Sequence, residues 1–315
     1  MPILGTIASS RKSSFALTWA TVTAGSTNKL GATIGFGNNI FLIGPRTTSQ
    51  NYFTSSNGTT WTERTSPGAI ETGGWAGAYF VYWQFGTTTF YKTSNGISWT
   101  SGTISPGVNA GRFSGPITTD GTTGSSTVAI QSVNVNKVQI ARSTDGGDTW
   151  AGGSEQGAAD FNGLQVTYAG SNKWAYSGEL TQLAYSSDGI NFSRVSTPSG
   201  NAGNVFGGPG LFLFRSDTAG TTYYSSTDGA SWTARTFPVS GVFNFGWNGT
   251  RWIAVEETGT RSYHSADATT GSWTSATNNK TGRAVIYQTA PNSFTGAGVM
   301  VIQSFDTNTV NYASV

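Results

Sequence analysis

The chain has no cysteine among its 315 residues. That excludes disulfides and thiolate metal sites, leaves the redox compartment unread, and puts the whole burden of stability on core packing. Charge is scarce too. Only 10% of residues are charged, against about 25% in ordinary soluble domains. The net charge is +2, with no cluster of Lys or Arg that could track a phosphate backbone, so nucleic acid is not an expected partner. No apolar run approaches the ~18 residues of a membrane span, so membrane insertion is not expected. The opening residues, Met1-Pro2-Ile3-Leu4-Gly-Thr-Ile7, are apolar but lack the basic region of a signal peptide and read better as an arm.

Glycine, serine and threonine fill the space that charges leave, with 43 glycines and 11 tryptophans. An aromatic residue recurs at Trp19, Trp61, Trp99, Trp150, Phe192, Trp232 and Trp273. The mean interval is about 42 residues, the period of a four-stranded propeller blade. Five of these positions close one phrase: Ser55-Ser-Asn57-Gly58-Thr-Thr-Trp61, Thr93-Ser-Asn95-Gly96-Ile-Ser-Trp99, Ser143-Thr-Asp145-Gly-Gly147-Asp-Thr-Trp150, Ser186-Ser-Asp188-Gly189-Ile-Asn-Phe192 and Ser226-Thr-Asp228-Gly229-Ala-Ser-Trp232. Ser265-Ala-Asp267…Trp273 is a looser sixth, and Ser13-Ser14…Trp19 lacks the turn.

Each phrase predicts a hairpin. Alternating runs such as Gln50–Thr54, Leu183–Ser186 and Thr222–Ser225 precede the turn, with the period of two that a half-buried strand shows. The Asp or Asn accepts from backbone N–H groups of its own turn, and the Gly adopts positive φ without steric cost. The aromatic residue then opens the next strand and fills the wedge between neighbouring sheets. Between phrases lie further strand-like runs: Leu30–Phe36, Asn39–Gly44, Trp75–Phe80, Leu164–Tyr168, Leu211–Phe214 and Arg251–Val255. Gly37-Asn38 and Asn248-Gly249 supply hairpin turns. Ser105–Ser126 is expected to form the largest loop.

Three runs follow Trp273: Arg283–Tyr287, Gly298–Ile302 and Thr309–Tyr312. Their missing outer strand is available at the other end, in Phe15–Trp19. The expectation is an all-β fold, a seven-bladed β-propeller of four-stranded antiparallel blades over residues 13–315. Its last blade is closed by the N-terminal strand, and residues 1–12 form a docking arm.

Ser143–Trp150 carries Ser-x-Asp-x-Gly-x-Thr-Trp and resembles the Asp-box of sialidase-like (BNR-repeat) propellers. The likeness extends over most of residues 13–315 and implies a structural, peripheral role for the box residues. Met1–Ser9 resembles the opening of structural proteins in tailed phages of marine and cyanobacterial hosts. This second resemblance implies a virion component, decorating the capsid or belonging to the tail. Pro2, Ile3, Leu4 and Ile7 would dock it on other virion proteins, and the assembled protein would sit on the extracellular particle.

The enzyme alternative is a sialidase-like glycoside hydrolase. That family carries an arginine cluster, a Tyr–Glu pair, an Asp acid/base and a Phe/Tyr-Arg-Ile-Pro phrase. The nearest string here is Phe214-Arg215-Ser216, and Arg46, Arg142 and Arg215 read as solvated or blade-bracing. Other glycosidases need converging carboxylates. Glu256 and Glu257 are adjacent on a strand end and point to opposite faces, while Asp120, Asp160, Glu179 and Asp217 read as loop acids. His264, the single histidine, falls toward a blade's outer edge. Asp145 and Asp148 lack the ligand spacing of a calcium loop. No catalytic residue, metal or cofactor is expected. A lectin-like alternative would use Trp83 with Gln84, and Trp247 with Asn248 and Trp252, as platforms for a host-surface glycan.

Overall fold

A computed structural model of the chain describes residues 18, 20–25, 30–45, 51–84, 86–105, 112–119, 128–134, 137–156, 163–178, 181–257, 259–276, 299–303 and 309–314. All regular elements among them are β-strands. The first is β1 (Ala20–Thr23). Blade one is β2 (Leu30–Gly37), β3 (Ile40–Pro45), β4 (Tyr52–Ser55) and β5 (Thr62–Arg64). Blade two is β6 (Ile70–Trp75), β7 (Phe80–Gln84), β8 (Thr89–Thr93) and β9 (Thr100–Thr103). Blade three is β10 (Arg112–Thr119), β11 (Val128–Asn134), β12 (Lys137–Ser143) and β13 (Ala151–Gln156). Blade four is β14 (Gly163–Tyr168), β15 (Trp174–Gly178), β16 (Gln182–Ser186) and β17 (Ser193–Ser196). Blade five is β18 (Gly203–Gly208), β19 (Leu211–Ser216), β20 (Gly220–Ser226) and β21 (Thr233–Gly241). Blade six is β22 (Phe243–Trp247), β23 (Trp252–Glu256), β24 (Ser262–Ser265) and β25 (Thr274–Ser275). The chain ends in β26 (Val299–Gln303) and β27 (Thr309–Ser314).

Each of the six blades is an antiparallel sheet in sequence order, and a seventh, three-stranded sheet has the order β1-β27-β26. First strands of successive blades pack on one another from β2 through β6, β10, β14 and β18 to β22, and β26 meets β2. This is a β-propeller. Six complete blades are described, against the seven expected, and Arg283–Tyr287 lies outside the described residues.

The N-terminal strand pairs with the C-terminal one through Ala20–Thr23 against Thr309–Tyr312, shifted along the chain from the expected Phe15–Trp19, of which only Thr18 is among the described residues. The shift has a simple cause. In every blade the box aromatic stands just before the outer strand, as Trp61 precedes β5 and Trp99 precedes β9. In sequence, Trp19 likewise comes one residue before β1.

Two other expectations are corrected. Trp75–Phe80 is a hairpin turn between β6 and β7, closed by the Ala76 N–H donating to Tyr79 O at 2.8 Å, with Gly77 at φ +106°. Ser105–Ser126 contains β10, the inner strand of blade three. Pro116 cannot donate a ladder hydrogen bond, and it falls within a register break between Ser114 and Thr118. The strand persists by bulging around it.

Glycine lets the inner strands crowd the axis. A Cβ at Gly207 would stand 2.2 Å from Tyr168 O of the preceding blade. The Gly207 N–H instead donates to Thr167 Oγ1 at 2.8 Å, joining the backbone of blade five to a side chain of blade four. Farther out, box aromatics fill the wedges. Trp150 is 3% exposed and stands edge-on to Trp83 of blade two, ring centroids 4.7 Å apart. Each such ring contributes about 2–3 kcal/mol through burial.

Candidate functional site

The repeated turn is the most regular chemical feature of the molecule. In blade four, Ser186 Oγ donates to Asp188 Oδ1 (2.8 Å) and accepts the Gly189 N–H (3.0 Å). Asp188 Oδ1 accepts the N–H groups of Ile190 and Asn191, both at 2.8 Å. The same pattern holds for Asn57 with Gly58, Asn95 with Gly96, Asp145 with Gly147 and Asp228 with Gly229. Asp267 repeats it with Ala268 in the glycine position, at φ +53°.

These carboxylates are fixed as acceptors. Burial alone would raise Asp188, but the N–H groups of Asn191 and Ile190 and the side chains of Asn191 and Ser186 outweigh it and hold the carboxyl at about 2. Burial of Asp145 is likewise overcome, by hydrogen bonds from Thr149, Ser143 and Asp148. The Ser231 N–H leads in lowering Asp228, and the Thr269 N–H in lowering Asp267. Groups held this way stay ionised near neutrality and cannot act as general acids.

Box aromatics connect neighbouring blades. Trp61, Trp150 and Trp232 donate their indole N–H to the carbonyl of their own box glycine, at 3.1, 3.1 and 3.2 Å. Trp99 and Trp273 donate across the junction, to Tyr52 and Tyr223. Phe192 packs on Tyr176 within its own blade, ring centroids 4.8 Å apart, and joins the cluster of Ile140 from blade three. Lys92 of blade two adds a charged link, donating to Asp148 Oδ1 (2.5 Å) and Asp148 O (2.9 Å) of the next box.

At the opposite edge of the sheets, between blades five and six, the described residues form a group of charges. Arg215, at the end of β19, is 6% exposed. Its Nη1 donates to Asp217 (2.7 Å), and its Nη2 to Glu257 (3.0 Å) and to Asn244 Oδ1 (3.2 Å). Glu256 turns the other way, to Arg261, whose Nε donates to Oε2 at 2.9 Å and whose Nη2 also meets Oε1. Arg261 Nη2 also reaches Ser240 O (2.9 Å), and its guanidinium lies 5.6 Å from the Phe243 ring centre. The hydrogen bond to Glu256 raises Arg261 further. The adjacent glutamates therefore serve different arginines. Arg215 is already neutralised, so a ligand carboxylate would have to displace Asp217 or Glu257.

The expected glycan platforms are not formed by the residues named for them. Trp83 is 1% exposed, Trp252 2% and Asn248 0%, and an indole needs an open face to stack on a sugar ring. Trp83 lies between Phe90 and Trp150. Gln84 is half-buried, its carbonyl accepting the Thr87 hydroxyl at 3.3 Å. Trp247 is half-buried against Trp252. Asn248 accepts the Arg251 N–H at 2.7 Å and holds its own turn. These aromatics do the work of packing.

His264 is buried on β24, where burial and then nearby Arg251 lower its imidazole. Arg142 is half-buried on β12. Pro2, Ile3, Leu4, Ile7, Arg46, Asp120, Asp160 and Glu179 lie outside the described residues. Among the described residues, no group of His, Asp and Glu stands where it could hold a metal ion, and no helix is long and apolar enough to cross a membrane. The tyrosine and lysine links were not foreseen, although Tyr52 and Tyr223 each stand three residues before a box serine.

No protein-family model matches the chain, and no curated protein matches it. Solved structures do. A streptogramin B lyase superposes with TM-score 0.71 at 8% identity, covering 95% of this chain and 98% of its own. YCF48 bound to a D1 peptide gives 0.68 at 13%, covering 94% and 97%. The WD40 β-propeller domain of Doa1 gives 0.62 at 10%, covering 96% and 97%. At such identities the likeness is one of fold, and what these chains share with this one is the β-propeller.

Proposed function

We propose that this chain is a non-enzymatic structural protein of a phage particle, displayed on the capsid or tail and fastened through residues 1–12. The supporting observation is how the chain enters the fold. Its first strand, β1, is the outermost strand of the three-stranded sheet. In this reading the apolar segment that precedes it in sequence would extend from that edge to a sheet edge or groove on another subunit. In this reading the turns are Asp-boxes and the three-stranded sheet is a seventh blade, with Arg283–Tyr287 as its inner strand. The box acids, Lys92, Arg215 and the paired glutamates are braces, and exposed loops face the host surface.

The test is removal of residues 1–12 from the gene in the producing phage. The shortened protein should keep its β-sheet circular dichroism and its cooperative melting, yet be absent from purified particles. Normal incorporation of the shortened protein would refute the reading.

A further inference from the structure

Blade six differs from the others at the position on which the next sheet's box aromatic would lie. Elsewhere a box aromatic lies on an apolar or aromatic residue three positions before the box Ser or Thr of the preceding sheet. Trp99 lies on Tyr52, Trp150 on Phe90 and Trp273 on Tyr223. Phe192 shares a cluster with Ile140, and Trp232 with Leu183. Trp61 faces the sheet without a box and shares a cluster with Val310 of β27. Blade six offers Ser262 at this position and His264 two residues on.

Its inner turn is polar too. Ala76, Ala169 and Asn248 hold one place, each donating its N–H back across the hairpin turn, to Tyr79, Lys173 and Arg251. Ala76 lies beneath the box of the next blade, against Gly147. Asn248 is 0% exposed, and its Nδ2 has no hydrogen-bond partner among the described residues. In blade one the turn amide of Asn38 has such a partner, donating to Ser94 O in the next box at 2.9 Å.

Covalent continuity differs as well. In blades one to six the box turn links the third strand to the fourth. β27 and β1 come from opposite ends of the sequence and are held by four residue pairs, from Ala20 with Tyr312 to Thr23 with Thr309. β1 reads Ala-Thr-Val-Thr, with no charge to oppose pairing.

We propose that β1 is an exchangeable strand whose alternative partner is β27 of a second copy of this chain. Each copy would then complete the other's last sheet. Self-closed and exchanged forms share the same ladder, so protein concentration sets the balance between them. The proposal stands apart from attachment to a particle and concerns residues beyond the arm.

Native cysteine is absent, so introduced thiols report cleanly. Copies carrying Thr23→Cys, mixed with copies carrying Thr309→Cys, should form a covalent heterodimer under mild oxidant. Thr100→Cys copies, with the thiol on the outer strand of blade two, should form none with Thr309→Cys. Ser262→Tyr, which places a tyrosine where blades one and five have one, should slow heterodimer formation roughly tenfold, the effect of about 1.4 kcal/mol of aromatic packing. Unmodified protein refolded at high concentration should contain a dimer by sedimentation that is missing after dilute refolding. Monomer alone at both concentrations, or a heterodimer yield no higher than the Thr100→Cys control, would overturn the proposal. An unchanged rate in Ser262→Tyr would overturn its attribution to the polar junction.

Discussion

The Tyr52 hydroxyl of blade one accepts the Trp99 indole N–H of blade two at 2.9 Å, while donating to the Gly96 carbonyl of the same box at 2.9 Å. Tyr223 repeats the clasp one junction from the end of blade six, accepting from Trp273 (2.9 Å) and donating to Ala268 O (2.6 Å). A single hydroxyl thus ties one sheet to both the ring and the turn of the next.

Removing it should separate the two clasps by their burial. In Tyr52→Phe, Trp99 can fall back on its own glycine carbonyl, as Trp61 does, so the loss should be about 1 kcal/mol. Tyr223→Phe leaves both partners buried and should lose about 2 kcal/mol. Urea midpoints followed by tryptophan fluorescence give the comparison, and equal losses would contradict it.

Acid should weaken the ring unevenly. A carboxyl held below its unfolded value stabilises the fold above that value, about 4. The contribution is lost as pH falls through the folded value, about 2 for Asp188. Melting temperature should therefore drop between about pH 4 and 2. Asp188→Asn should flatten that drop. Asn57→Asp should do the reverse, adding stability near neutrality through charge-assisted hydrogen bonds and steepening the acid loss. Thermal melts across this pH range are the measurement.

Gly147→Ala should be far costlier than Gly86→Ala. Both positions have positive φ, +94° and +69°. An added Cβ at 147 would meet Ala76 Cβ at 2.5 Å and Val81 Cγ2 at 2.9 Å, whereas one at 86 meets nothing within 4 Å. Conformational strain alone costs about 1–2 kcal/mol, and overpacking at 147 adds about 1–3 kcal/mol. Denaturation midpoints of the two variants should differ accordingly.

Arg215→Ala should lose about 3 kcal/mol, because it removes the cation that Glu257 and Asn244 hydrogen-bond in a poorly solvated junction. Replacing Asp217, whose side chain is 50% exposed, should cost less than about 1 kcal/mol. Similar losses from both would mean that the exposed arm of the network matters as much as the buried one.

The period of the ring was legible because each blade must spend the same residues on the same turn. Asn57, Asp188 and Asp228 could be read one phrase at a time. What escaped depends on residues a full period or more apart. Arg215 and Glu257 are 42 positions from each other, and Trp83 meets Trp150 only when two blades are stacked. An aromatic that wedges between sheets and one that faces solvent share the same alternation along a strand, so Trp83 and Trp252 could pass for platforms. Strand β10 was hidden for a local reason, since Gly115-Pro116 looks like a break and the ladder bulges to absorb it.

Among the described residues, tension from the N-terminal side meets its first paired strand at Ala20–Thr23. Four residue pairs hold β1 to β27, with no box turn joining the two strands. The mechanical strength of the molecule under tension from that end is thus the strength of one short ladder, however firmly the other blades resist heat or urea.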